Sequence, residues 1–239
     1  MSVYKPAGST PPARGGTHGT PGPVADVRRR IAERAAREIL PGMVVNLGIG
    51  VPTLVTDYVP DDLGVIFQVE NGMLGYGAPP APGREDPNLV NASGLPVTEL
   101  PGASYFDSTV AFGMIRRGRL DMTILGALQV SARGDLANWL VPGRRVPGMG
   151  GAMELAQKTG KVVVVTTHVS RGGEPKIVAE CTLPLTGKRS VHLIITDVAV
   201  IEVTAEGLVL KEVARDHSVD EVVALTGAPL LVLGEPGVF

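Results

Sequence analysis

The chain has 239 residues, 44% of them hydrophobic and 19% charged, and a formal net charge of -2. That length and apolar content suit one large α/β domain, and aromatics at 4% leave the packing to Val, Leu, Ile and Ala. The near-neutral charge argues against nucleic acid, and the single Cys181 excludes an internal disulfide; no apolar run reaches the roughly 18 residues of a membrane helix. With no signal peptide ahead of the domain, a reducing, cytoplasmic setting is expected.

Residues 1–23 contain five prolines and five glycines and offer little to bury, so they are expected to form a flexible tail. The rest, 24–239, shows no long linker and no repeat, and is read as a single domain. Helix is predicted from Val24, with Val27, Ile31, Ala35 and Ile39 on its apolar face. Arg28, Arg29, Arg30, Glu33, Arg34 and Arg37 cover the other faces and read as solvated, until Pro41-Gly42 stops the helix. Met43 to Leu47 is a strand. Gly48-Ile49-Gly50-Val51-Pro52-Thr53 turns the chain into a short helix to Val59, with Pro52 suited to its first turn. After Pro60-Asp61-Asp62, a second strand from Gly64 to Val69 ends at Glu70. Asn71-Gly72 and a glycine loop through Gly77 follow.

This stretch imitates a dinucleotide fingerprint, with a G-x-G turn after a strand and an acid about 20 residues further on. The third glycine is replaced by Thr53, the helix is short, and Glu70 leads into a glycine loop where a crossover helix would be needed. Nicotinamide binding is therefore disfavoured.

Ala78 to Asp86 is a Pro- and Gly-rich surface loop. Asn88 to Ala92 and Leu95 to Leu100 are strand-like and lead into Pro101-Gly102-Ala103-Ser104. A helix from Asp107 to Ile115 is predicted to bury Phe106, Val110 and Met114. Met122 to Leu125 is a strand, followed by segments ending at Gly134-Asp135-Leu136-Ala137-Asn138-Trp139. Gly148-Met149-Gly150-Gly151 opens a short helix over Ala152 to Lys158, where backbone N–H groups have the geometry to meet an anion or merely to permit a tight turn. Lys161 to Thr167 is the most emphatic strand. Pro175 to Ala179, Val191 to Ile195, Val198 to Thr204 and Leu208 to Val213 continue in strand fashion, and Ser218-Val219-Asp220-Glu221 is a capping box opening a last helix. The mixture of periods predicts a three-layer α/β/α fold with an open, mostly parallel sheet.

Few chemistries remain open. His18, His168, His192 and His217 are far apart and none has ligand spacing with Cys181, so no metal site is expected. No nucleophile elbow, C-x-x-C or Walker loop is present. What remains is a carboxylate at a strand end among glycine loops, the place where open α/β sheets bind ligands. A carboxylate held there is either a surface cap or a nucleophile able to form acyl intermediates.

The segments Asn46-Leu47-Gly48-Ile49-Gly50-Val51-Pro52-Thr53, Glu70-Asn71-Gly72-Met73-Leu74-Gly75, Leu100-Pro101-Gly102-Ala103-Ser104, Gly134-Asp135-Leu136-Ala137-Asn138-Trp139, Gly148-Met149-Gly150-Gly151-Ala152-Met153 and Cys181-Thr182-Leu183-Pro184-Leu185-Thr186-Gly187 together resemble the B (beta) half of class I 3-oxoacid CoA-transferases. The resemblance runs in order from Val24 to Leu225. It implies that Glu70 attacks an acyl-CoA to give an acyl-glutamyl anhydride and then a glutamyl-CoA thioester. It implies that the Gly151 backbone N–H serves the oxyanion, and that Gly50, Asn71, Gly72, Asn138, Gly148 and Gly150 border the substrate cleft. It further implies a partner A subunit, in a hetero-oligomer expected to be a heterotetramer, with acyl-CoA and carboxylic acid substrates. No cofactor is implied, because coenzyme A is itself a substrate. One departure stands out: Asn91-Ala92-Ser93-Gly94 replaces the Asn-Ala-Gly-Lys that members often carry. Two other readings stay open on the fold alone, a sugar-phosphate isomerase-like enzyme and a non-catalytic ligand-binding protein.

Overall fold

The computed structural model describes residues 23–143 and 148–239. Helix α1 (Pro23–Ala36) leads to β1 (Val44–Leu47), a 3-10 helix (Val51–Tyr58), β2 (Ile66–Val69), β3 (Met73–Tyr76) and β4 (Glu99–Tyr105). Then come α2 (Ser108–Arg116), β5 (Met122–Gly126), β6 (Gln129–Ser131), β7 (Leu136–Ala137), α3 (Ala152–Lys158) and β8 (Lys161–Val165). The chain continues through β9 (Ile177–Val178), β10 (Leu193–Ile195), β11 (Ala199–Val203), β12 (Leu208–Val213), α4 (Val219–Leu225), β13 (Leu230–Leu231) and β14 (Gly237–Val238).

Strand β8 shows how the layers arise. Successive side chains of a strand point to opposite faces. Val163 and Val165 therefore enter one core, with Ile31, Ala32 and Ala35 of α1 and Val55 of the 3-10 helix. Val162 and Val164 enter the other, with Ile115 of α2, Leu155 and Ala156 of α3 and Val222 of α4. A strand buried on both faces needs an unbroken apolar run, which is what four valines supply.

Among the described residues the large sheet has eleven strands, ordered β13-β12-β11-β10-β8-β5-β1-β2-β3-β4, with β14 also on β12. Its centre, β10-β8-β5-β1-β2, is parallel. Antiparallel β11 and β12 flank it on one side, β3 and β4 on the other. A small sheet, β7-β6-β9, lies apart. The chain leaves β1 toward β2 in one direction and returns to β5 on its other side. The crevice beyond the carboxyl ends of β1, β2 and β5 is thus a topological switch point, the expected ligand position in an open α/β sheet.

The α/β/α expectation holds, with local corrections. Helix α1 ends at Ala36, yet Ile39 beyond it is still buried. Arg34 is not solvated: it is 6% exposed and bonds Glu212 with Nε at 2.7 Å and Nη2 at 2.6 Å, and Glu38 with Nη1 at 2.7 Å. The glycine loop after Glu70 is strand β3, hairpinned to β2, and Pro101-Gly102-Ala103-Ser104 lies inside β4. Glycine and proline there mark an edge strand rather than a loop. Helix α2 buries Ala111 and Ile115, whereas Val110 is 45% exposed. Asp107 accepts the Val110 N–H as the cap at 2.9 Å, and the inward face lies one residue later than the periodicity suggests. The capping box of Ser218 and Glu221 forms as expected. The tail assigned to residues 1–23 falls almost wholly outside the described residues.

Candidate active site

Strand β2 delivers Glu70 to the switch point, and the turn after it depends on Gly72. That residue has φ of +117°, and a Cβ there would lie 1.9 Å from the Phe106 carbonyl oxygen. The Phe106 N–H donates to the Gly72 carbonyl at 2.9 Å, so hairpin and β4 close against each other through a side-chain-free backbone. Glu70 is left half-buried at the mouth of the crevice. Behind it, Tyr76 is 2% exposed; burial first, and the Glu70 charge second, push its phenol well above the ordinary range.

Beneath Glu70 lies a polar rung that the sequence analysis did not single out. Asn46 of β1 is in register with Gln68 of β2 and with Thr123 of β5. All three are fully buried. Thr123 Oγ1 donates to Asn46 Oδ1 at 3.2 Å. Asn46 Nδ2 then donates to Gln68 Oε1 at 2.8 Å, the Gln68 carbonyl at 3.2 Å and Glu70 Oε2 at 3.2 Å. The signal was a polar residue at one position in each of three apolar strands, but nothing local says that these positions are neighbours.

Of the glycines expected around the site, Gly151 is brought into contact with Glu70. A Cβ at Gly151 would stand 2.6 Å from Glu70 Oε1 and 3.2 Å from its Cγ. Gly151 is the N-terminal cap of α3, preceded by Gly150 at φ of +55° and Gly148 at φ of +105°. The backbone therefore passes the carboxylate closer than any other residue type would permit. The remaining expected residues are tied to neighbouring loops. Gly50, at φ of +91°, donates its N–H to Ser93 Oγ at 3.3 Å, so the departure at Asn91-Ala92-Ser93-Gly94 sits against the first glycine turn. Asn71 donates to the Val90 carbonyl at 2.9 Å. Asn138 donates to the Gly126 carbonyl at the end of β5 at 3.2 Å and accepts from Thr186 Oγ1 at 2.6 Å.

Rival nucleophiles and bases are occupied. His168 is 1% exposed with ring nitrogens 3.0 Å from Thr196 Oγ1 and 2.9 Å from Thr226 Oγ1, and burial pushes its pKa down to about 4. It is a satisfied, neutral core histidine. Burial and then Asp135 push the Cys181 thiol up to about 11, so little thiolate exists near neutrality. Among the described residues no group of three His, Cys, Asp or Glu is placed to hold a metal ion, and no helix is long and apolar enough to cross a membrane.

A carboxylate at the switch point, pressed by a glycine loop, is a pattern with relatives. Residues 28–225 match the family model described as Coenzyme A transferase. The chain belongs to the coenzyme A transferase family.

It is 57% identical over 205 residues to the beta chain of a probable coenzyme A transferase of Bacillus subtilis strain 168, covering 86% of this chain and 94% of that protein. It is 48% identical over 202 residues to the B component of the succinyl-CoA:3-ketoacid coenzyme A transferase of Helicobacter pylori strain 26695, covering 84% and 97% respectively. Among solved structures, an acyl-CoA transferase from Escherichia coli O157:H7 in a thioester complex with CoA superposes with a TM-score of 0.71 at 19% identity. That likeness, which covers 89% of this chain and 43% of the other, shows the CoA-transferase fold. The chain therefore spans less than half of that longer transferase, in keeping with relatives designated as B or beta subunits.

Proposed function

We propose that the protein transfers coenzyme A between an acyl-CoA and a 3-oxoacid, as the glutamate-bearing B (beta) component of a cytoplasmic, two-subunit enzyme. The observation that carries this reading is the Glu70 carboxylate at the switch point, with one oxygen held by Asn46 and the other against the Gly151 backbone. A carboxylate with one oxygen free has the geometry of a nucleophile rather than of an ion-pair member. Attack on the thioester carbonyl gives an acyl-glutamyl anhydride and free CoA thiolate, and the thiolate then attacks the glutamyl carbonyl to leave a Glu70 thioester. The acceptor acid runs the same steps in reverse. The Gly151 N–H, at the start of α3, meets the oxyanion of the acyl carbonyl, and Gly50, Asn71, Gly72, Asn138, Gly148 and Gly150 form the walls of the cleft. Because an anhydride is destroyed by water, the site needs closure, which a second subunit supplies by covering the glycine loops. The relatives' designation as B subunits supports an A-subunit partner, and the assembly is read as a heterotetramer. Coenzyme A enters as substrate, and no further cofactor takes part in these steps.

The test is incubation of the assembled enzyme with acetoacetyl-CoA in the absence of acceptor acid, followed by peptide mass mapping. A CoA adduct on Glu70, abolished in Glu70→Gln, is expected. An adduct on another residue, or near-normal turnover by Glu70→Gln, refutes the assignment. Adding succinate separates the reading from its rivals, since an isomerase or a ligand sensor forms no succinyl-CoA.

A further inference from the structure

At the opposite end of the sheet from Glu70 lies an open cavity of about 710 Å³. Thr159 and Gly160, just before β8, and His192, just before β10, stand on its wall, so it opens at the amino ends of those parallel strands. Glu70 follows β2 at the carboxyl end of the same parallel set. The five residues of β8 hold the two ends roughly 16 Å apart. The segment from Thr186 to Ser190 forms the other wall and packs on α3. A Cβ at Gly187 would stand 3.1 Å from Ala156 Cβ and 2.7 Å from Ser190 Oγ.

Packing does not account for three features of this wall. Arg189 has φ of +49°, and among the described residues no other non-glycine has a positive φ. A turn that needed only this backbone would carry glycine or asparagine, which adopt it at less cost. The turn is pinned nonetheless: the Asp135 carboxylate takes the Arg189 N–H at 2.9 Å and the Gly134 carbonyl takes the Ser190 N–H at 3.0 Å. The second feature is unspent charge. Lys188 and Arg189 are exposed and form no ion pair among the described residues, whereas Arg30, Arg34, Arg37 and Arg116 each hold a carboxylate. No residue lining the cavity is acidic. The third is a pair of orphan hydroxyls. Thr159 and Ser190 are 8% and 6% exposed, and among the described residues neither Oγ has a hydrogen-bond partner. A buried hydroxyl without a partner costs stability that an alanine would not.

We propose that this cavity is a second ligand site, which binds the phosphoryl group of a small metabolite separately from the CoA-transfer cleft. The donor set is the one that phosphate oxygens take: a guanidinium fork and an ammonium for the charge, and hydroxyls for the remaining lone pairs. Each hydroxyl reaches the ligand by a turn about χ1, and gives up no bond in doing so. The strain at Arg189 is then explained, because the turn aims a guanidinium where glycine would aim nothing. The cavity has the size of a small-molecule site and exceeds a bare phosphate, so the ligand carries an organic part beside Leu185 and Ala156. None of this depends on Glu70 being the nucleophile.

The experiment titrates pyrophosphate into the assembled two-subunit enzyme by calorimetry, at about 150 mM salt so that diffuse surface attraction is screened. Wild type, Lys188→Ala, Arg189→Gly, Ser190→Ala, Arg171→Ala and Glu70→Gln are compared, with melts and transferase kinetics on the same preparations. Binding with a Kd below about 1 mM is expected. Lys188→Ala and Arg189→Gly should each weaken it about tenfold or more, the loss of one charge-assisted bond, and Ser190→Ala about fivefold. Arg189→Gly carries the discriminating readout. Glycine takes the positive φ without strain, so the melting temperature should rise or hold within about 2 °C while binding is lost. Glu70→Gln should bind pyrophosphate like wild type, and Lys188→Ala and Arg189→Gly should keep kcat and KM for acetoacetyl-CoA within about twofold. The proposal is overturned if no binding is seen up to about 10 mM pyrophosphate. Equal weakening in Arg171→Ala, an exposed arginine outside the cavity, also overturns it, since the binding is then diffuse surface charge. CoA and dephospho-CoA are the last arms, run on Glu70→Gln so that nothing turns over. Displacement of pyrophosphate by CoA alone identifies the CoA 3′-phosphate as occupant, and displacement by both identifies its diphosphate. Either result makes the cavity part of the CoA groove and refutes a separate site. Failure of the Glu70 assignment leaves all of these outcomes unchanged, so the two are distinguishable.

Discussion

Replacing Gly151 by alanine tests the close approach of the glycine loop to Glu70. The residue has φ of -78° and ψ of -5°, a conformation that alanine adopts without strain. The added methyl would stand 2.6 Å from Glu70 Oε1, 3.2 Å from Cγ and 3.3 Å from Cδ. Nonbonded carbon and oxygen do not approach to that distance, so the carboxylate must withdraw by roughly 0.5–1 Å, and misplacement of about 1 Å can cost 10²-fold in rate. The fold has little reason to suffer. Alanine at a helix cap loses at most about 1 kcal/mol against glycine, and the smaller unfolded-state entropy offsets part of that. We therefore expect kcat of the assembled enzyme to fall about a hundredfold while the melting temperature moves by only about 4 °C or less. Steady-state transferase assays and a thermal scan on the same preparation measure both. Activity within twofold of wild type would mean that the Gly151 loop and Glu70 are not in register when substrate is bound. A large fall in melting temperature would mean that the contact holds the fold rather than the chemistry.

Three further perturbations follow from the structure. Gly72→Ala places a methyl against the Phe106 carbonyl at a positive φ, and should cost about 3 kcal/mol or more, read as loss of soluble folded protein or a large drop in urea midpoint. Arg34→Ala takes the guanidinium from Glu212 and leaves Glu38 with Lys161 alone, and should lower unfolding free energy by about 2 kcal/mol; urea titration with unchanged m-value checks it. His168, held neutral with a pKa of about 4, makes stability depend on acid. The unfolded imidazole takes a proton below about pH 6.5, so the contribution is intact above that value and is lost as pH falls toward 4, roughly 3 kcal/mol in all. Urea unfolding at several pH values should show this slope in wild type and a flatter one in His168→Gln, and equal slopes would refute it.

Residues in direct succession carried a good deal of the fold. The valine run of β8 announced a strand buried on both faces, the Ser218 and Glu221 spacing announced a capping box, and the apolar run into Glu70 announced a carboxylate at a strand end. These rest on local rules, period and capping, that neighbours along the chain settle between themselves. That Gly151 would lie against Glu70 could be expected only through resemblance to the CoA-transferase motifs, since a glycine before a short helix has no unique meaning on its own. Where glycine and proline stood in strands, local rules misled: Met73 to Tyr76, between β2 and β4, and Pro101 to Ser104, in the edge strand β4, join the sheet because partner strands supply bonds that the segment itself cannot reveal. The arginine face of α1 misled for the same reason, because Glu212 lies 178 residues away.

The sequence by itself determined the layers, the family and the carboxylate, since each is written in contiguous patterns of burial and motif. Only the tertiary structure decided that Asn46, Gln68 and Thr123 share one rung, and that the two oxygens of Glu70 meet different neighbours. The physical reason is register. Which residue of one strand faces which residue of the next is set by the whole sheet packing between two cores, and sliding one strand by a single position would turn its polar residue to the other face.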